Sequence, residues 1–180
     1  MLDSALQILL RSTILTGLTV RGYSSVLVKA SRQPRQAAVP TAATVFISFM
    51  SSKRYGFPQK GQVWDSGNGV FQKTETQLYE TTYQIAALSP QSAATPTAPT
   101  TDDLVRIVSN WLASDAAVAI LGADQVGVLR VQDIQNLWFE DDKGQYESNP
   151  TFNIVLRHND AFTTPVNAVQ SISSGGIFPI

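Results

Sequence analysis

Between Thr74 and Leu88 the side chains alternate with the two-residue period of a β-strand. Tyr79, Thr81, Tyr83, Ile85 and Ala87 share one face, and Glu80, Thr82 and Gln84 share the other. A strand that is apolar on one face must cover that face with something else. The rest of the chain supplies cover in blocks. Residues 3–16 repeat at helical spacing, with Leu6, Leu9, Leu10 and Thr13 on one stripe, Asp3 or Ser4 as N-cap and Gly17 as a left-handed stop. Val26-Leu27-Val28 reads as a short strand. Val45-Phe46-Ile47-Ser48-Phe49-Met50 reads as a longer one, rich in β-branched and aromatic residues.

Thr100-x-x-Asp103 has the spacing of a capping box, with Asp in place of Glu or Gln. The helix it opens places Leu104, Val108, Trp111 and Leu112 together. Ser114 caps a second helix, Asp115 to Leu121, ended by Gly122. Residues 126–139 and 150–158 read as paired strands turned by Asp142-Lys143-Gly144, with a bulge or bend near Gln132-Asp133. The order helix, strands, helices, strands predicts an α+β domain whose helices pack on one side of a largely antiparallel sheet. One domain over residues 1–180 suits this length. Within it, 89–101 (SPQSAATPTAPTT) is an uncharged crossover and 160–180 a C-terminal extension. Tyr55 to Val70, with five Gly or Pro positions including Gly67 and Gly69, reads as a long projecting loop.

Charge is divided along the chain. Residues 1–73 carry nine Lys and Arg against two acids, whereas 74–180 carry four against twelve. Such a split points to a charged partner or to contact between unlike faces of two copies, unless the halves interleave on folding. The apolar N-terminal run stops at Arg11 and has Asp3 where a leader carries positive charge, so we expect neither a membrane span nor general secretion.

The residues for catalysis are sparse. No cysteine is present, and the lone histidine, His158, follows Leu156 at strand period, as a structural or interfacial side chain would. No Gly-x-Ser-x-Gly elbow accompanies it, and Gly67-Asn68-Gly69 lacks the Lys-Ser/Thr of a phosphate loop. Glu140, Asp141, Asp142 and Glu147 crowd one hairpin tip without EF-hand spacing, as a solvated turn does. We expect no enzyme activity, no catalytic residue, no cofactor and no metal site. Arg32, Arg35, Lys53 and Arg54 are phosphate-binding residue types without a nucleic-acid motif around them.

Several runs carry a family resemblance. They are Glu80-Thr81-Thr82-Tyr83-Gln84-Ile85, Asp102 to Val108, Trp111-Leu112-Ala113-Ser114-Asp115, Val128 to Ile134, Trp138 to Glu147 and Pro150 to Leu156. In order and wording, residues 43–160 resemble the neck or tail terminator proteins of long-tailed bacteriophages. The resemblance implies an α/β sandwich with a mixed sheet. It implies a homo-oligomeric ring, usually a hexamer, at the head-proximal end of the tail tube. Such a ring ends tube polymerisation and docks the tail to the neck or head-completion connector. The implied partners are further copies of the chain, the tube protein, the connector protein and the sheath protein. Genomic DNA passes through the lumen without specific reading. The implied location is the virion, after assembly in the host cytoplasm.

For the contacts between copies and partners we single out Arg32, Arg35, Lys53, Arg54, Trp64, Glu140, Asp141, Asp142 and Lys143. An exposed sheet edge would add strand pairing to them. Two other readings stand beside this one: another neck or head-completion adaptor, and a DNA-binding module that uses the basic N-terminal part.

Overall fold

A computed structural model describes residues 3–30, 42–90, 98–140 and 146–167. The chain runs α1 (Asp3–Val20), β1 (Leu27–Ala30), β2 (Thr44–Asp65), β3 (Val70–Leu88), α2 (Thr101–Leu112), α3 (Asp115–Ala123), β4 (Gly127–Val131), β5 (Gln135–Glu140) and β6 (Tyr146–Asn167). One six-stranded sheet has the order β1-β2-β3-β6-β4, with β5 also paired to β6. Among the described residues only β1 and β2 are parallel, and every other pair is antiparallel. This is the expected α+β architecture.

The core lies between one face of the sheet and the helices. The alternation read in β3 is the alternation of burial: Thr81, Tyr83, Ile85 and Ala87 are buried and the residues between them are not. Cross-strand rows continue the buried face, with Ile47 beside Ile85 and Ile85 beside Phe152, and Tyr83 beside Ile154. Leu6, Leu10, Ile14 and Leu18 of α1 cover these rows together with Leu104, Val108 and Leu112 of α2. Each fully buried aliphatic side chain of this kind contributes about 1.5–3 kcal/mol relative to exposure.

The capping box forms as read. Asp103 N–H donates to Thr100 Oγ1 at 3.1 Å, and Thr100 N–H donates back to Asp103 Oδ2 at 3.2 Å. Ser114 caps α3 through the Ala117 N–H. The expected break near Gln132-Asp133 is also present, because β4 ends at Val131, β5 begins at Gln135 and the β4–β6 register slips between Val128 and Arg130.

Four boundaries differ from expectation. Helix α1 runs through Gly17 to Val20, and the left-handed glycine is Gly22, at φ 85°. Gly17 serves packing: a methyl group there would sit inside the Trp111 ring, and Trp111 Nε1–H donates to the Thr13 carbonyl at 2.8 Å. Helix α3 passes Gly122 and closes on Gln125, which has φ 60°. Strand β2 continues from Tyr55 to Asp65, where a loop was expected. Strand β6 runs on to Asn167, so residues 160–167 belong to the sheet and not to an extension. The connection at 31–40, the crossover residues 91–97, the turn at 142–144 and residues 168–180 lie outside the described residues.

Candidate interaction surface: the three-stranded arm

Beyond Met50 the sheet leaves the helices behind. Strands β2, β3 and β6 continue side by side until Asp65 pairs with Val70, and Val70 with Asn167. From Glu80 to Val70 this arm is 11 residues long, or about 35 Å at the rise of a β-strand. Three strands are what an isolated sheet needs to hold together in water.

The glycines and prolines that resembled loop chemistry have local uses in the arm. Tyr55 and Gln59 flank a register shift, and within it Gly56 takes φ 71°. Pro58 lies in the same bulge, on a strand paired on one side only there, where a missing N–H disrupts no ladder. The turn is confined to residues 66–69. Asp65 Oδ1 accepts from the Gly67 N–H at 3.1 Å and the Asn68 N–H at 3.3 Å, and Gly69 closes the turn at φ 63°. Hydrogen bonds from the Asn68 and Gln72 side chains hold the Asp65 carboxyl below its ordinary value.

Register sorts the arm into two faces. The face continuous with the core carries, from base to tip, the rows Ser52/Thr81/Leu156, Arg54/Tyr79/His158, Gln77/Asp160, Lys60/Glu75/Phe162, Gln62/Lys73/Thr164 and Trp64/Phe71/Val166. The opposite face carries Lys53/Glu80/Arg157, Tyr55/Leu78/Asn159 and then Gln59/Thr76/Ala161 and Gly61/Thr74/Thr163.

A polar network locks the arm's base to the body. His158 and Thr81 are buried, and Thr81 Oγ1 is hydrogen-bonded to His158 Nε2 at 3.0 Å and to Ser52 Oγ at 3.0 Å. The His158 ring stacks on Tyr79 with centroids 5.8 Å apart, and Arg54 Nε–H donates to the Tyr79 hydroxyl at 3.2 Å. Burial pushes the His158 imidazole below its ordinary value and raises the Tyr83 hydroxyl to about 12. The Ser–Thr–His chain is not a nucleophile–base pair. Its middle oxygen is buried, and no carboxylate is among the hydrogen-bond partners of His158 in the described residues.

Opposite charges interleave along the arm. Arg157 donates to Glu80 at 2.8 Å and lies over the Tyr55 ring, and Lys73 meets Glu75 at 2.7 Å. The Lys73 ammonium holds the Glu75 carboxyl below its ordinary value. Lys53 falls in the row of Glu80 and Arg157, and Lys60 falls beside Glu75. Within the arm the basic first half of the sequence is therefore set against the acidic second half. These rows make a poor continuous phosphate track.

The expected contact residues are brought together only in part. Lys53 and Arg54 are adjacent in sequence and point to opposite faces. Trp64 lies at the tip, about half exposed, edge-on to Phe71 with centroids 4.9 Å apart. Glu140 ends β5 opposite Tyr146, while Arg32, Arg35, Asp141, Asp142 and Lys143 lie outside the described residues.

The sequence reading missed Phe57, which is 96% exposed, Phe71 and Val166 at the tip, and Phe162 two rows below it. A signal for two of them existed, because Phe162 and Val166 keep the even-numbered phase of Ile154, Leu156 and His158. Seven exposed large apolar side chains stand on the arm, Tyr55, Phe57, Val63, Trp64, Phe71, Phe162 and Val166, and an eighth, Met50, stands where it begins. Exposed apolar side chains in that number make the projecting sheet a candidate contact surface.

The family model of E217 gateway protein gp29 matches residues 5–168. No curated protein matches the sequence. Among solved structures, the fold is similar to a cryo-EM structure of an extracellular contractile injection system, the PVC sheath/tube terminator in its extended state. The TM-score is 0.50 and the identity 11%, over 96% of this chain and 64% of that one. The chain thus spans about two thirds of the length of that structure.

Proposed function

The chain belongs to the E217 gateway protein gp29 family, and from that premise we propose that it is a structural component of a phage tail end, acting by assembly. Copies close into a ring, six by the family resemblance, at the head-proximal end of the tail tube. The ring ends tube polymerisation and presents a docking surface to the neck connector, with the sheath as a further neighbour and DNA passing through the lumen. The observation that carries this reading is the match over residues 5–168, nearly the whole described chain, joined to a terminator-like fold.

The arm gives the role a physical means. Its three paired strands run about 35 Å from Glu80 to Val70, with Trp64, Phe71 and Val166 at the tip and Phe162 two rows below, an apolar surface suited to an axial neighbour such as the tube or connector. Lys53 and Arg54 remain candidate contacts at its base and Glu140 at the opposite end of β6, with Asp141, Asp142 and Lys143 as candidates from the sequence.

Gold labelling of an affinity tag on this chain in intact particles tests the reading. We expect one ring of label at the head–tail junction, and overlength tubes without heads when the gene is disrupted. Particles that carry no label, or normal tails that join heads without the protein, overturn it.

A further inference from the structure

The sheet has two ends, and they differ in charge. Among the described residues β1 pairs only with β2 and β4 only with β6, so each terminal strand has an unpaired side. From Asp3 to Ala30, α1, β1 and the turn between them contribute Arg11, Arg21 and Lys29 against one acid, Asp3. From Ser114 to Ile134, α3, β4 and their flanks contribute Asp115, Asp124 and Asp133 against one base, Arg130. In the body the split survives between the two terminal strands and their flanks, although α1 and α3 also pack against each other between them.

The exposed apolar side chains follow the same division. Of those off the arm, Ile8, Val20 and Leu27 belong to α1 and β1, and Val118, Leu129 and Ile134 belong to α3, β4 and the segment after it. The basic edge is also concave. A cavity of about 370 Å³ opens between α1 and β1, lined by Ile8, Arg11, Val28, Lys29 and Ile47 among others. Arg11 Nε–H donates to the Val28 carbonyl at 2.9 Å, which holds the guanidinium at the strand edge.

We propose that the α1–β1 edge of one copy seats against the α3–β4 edge of the next, with Arg11 and Lys29 facing Asp115 and Asp124 and apolar side chains between them. Like edges repel and unlike edges attract, so charge selects a head-to-tail contact over a two-fold one. Repeated head-to-tail contacts close into a ring and leave every arm projecting on the same side. This proposal rests on the ring reading above and adds which surfaces form it.

The absence of cysteine from the chain makes the test clean. Leu27→Cys and Leu129→Cys are introduced separately and together in the full chain, and oxidation is followed in solution and on assembled particles. We expect a mixture of the two single variants to give covalent dimers, and the double variant to give a ladder beyond dimer. We also expect Lys29→Glu to weaken self-association at least tenfold at low salt, and mixing it with Asp115→Lys/Asp124→Lys to restore association. Arg11 is left intact because it also supports Val28. Equal cross-linking by one single variant alone, no ladder from the double variant, or no effect of Lys29→Glu overturns the proposal. A labelled head–tail junction without the β1–β4 cross-link would sink this edge pairing and leave the tail-end reading standing. The cross-link without junction label would do the reverse.

Discussion

Strands β2, β3 and β6 each pass through two environments. In the body, the rows of Ile47, Tyr83, Ile85, Phe152 and Ile154 lie under helices and are buried. In the arm, the same strands keep their register but have no helix above them, and the rows hold Lys60, Glu75, Gln77 and Asp160. The body is therefore held by apolar burial, and the arm by ladder hydrogen bonds, ion pairs and the locked base around His158. Because burial within the chain no longer selects residues there, the arm's exposed aromatics are the side chains that the proposed outside contact would use.

Substitutions should separate the two regions by size of effect. Ile154→Ala, in the body, should cost about 2–5 kcal/mol in chemical denaturation, since it empties a fully buried site. Gly17→Ala should cost about 1–3 kcal/mol by the same measurement, because Trp111 must move from the helix it contacts. Equal or greater stability would mean that the α1–α2 packing relaxes freely. Thr100→Ala should cost about 1 kcal/mol by loss of the α2 cap.

At the junction of the regions the effect should depend on pH. His158 has its folded pKa lowered by burial, so the unfolded chain takes up the proton first as pH falls. Its stabilising contribution is complete above the ordinary histidine value near 6.5 and is lost as pH falls through the lower folded value. Midpoints of thermal unfolding should drop over that range in the wild type and change less in His158→Gln. An identical profile in the two proteins would break the assignment. Smallest of all should be Trp64→Ala, within about 0.5 kcal/mol of wild type in stability. Its effect should instead appear as impaired tail completion. Normal assembly with that variant would remove the tip from the contact surface.

Local physics made much of this legible in advance. Thr100 and Asp103 announce a helix start because the capping box is closed within four residues. Thr81, Tyr83, Ile85 and Ala87 announce a half-buried strand because one side-chain phase meets one cover layer. Order and spacing also carried the α+β class and the terminator-like resemblance. What the sequence could not settle depends on neighbours distant along the chain. Gly17 looked like a helix end, and only the Trp111 ring packed on it shows why a glycine stands inside a helix. Residues 55–65 looked like a loop, and only the partners β3 and β6 make them a strand, since a bulge absorbs Gly56 and Pro58 once a ladder exists to hold the rest. Charge behaved in the same way: its division along the chain is a property of the sequence, but its cancellation in the arm and its separation across the body follow from which strands lie side by side.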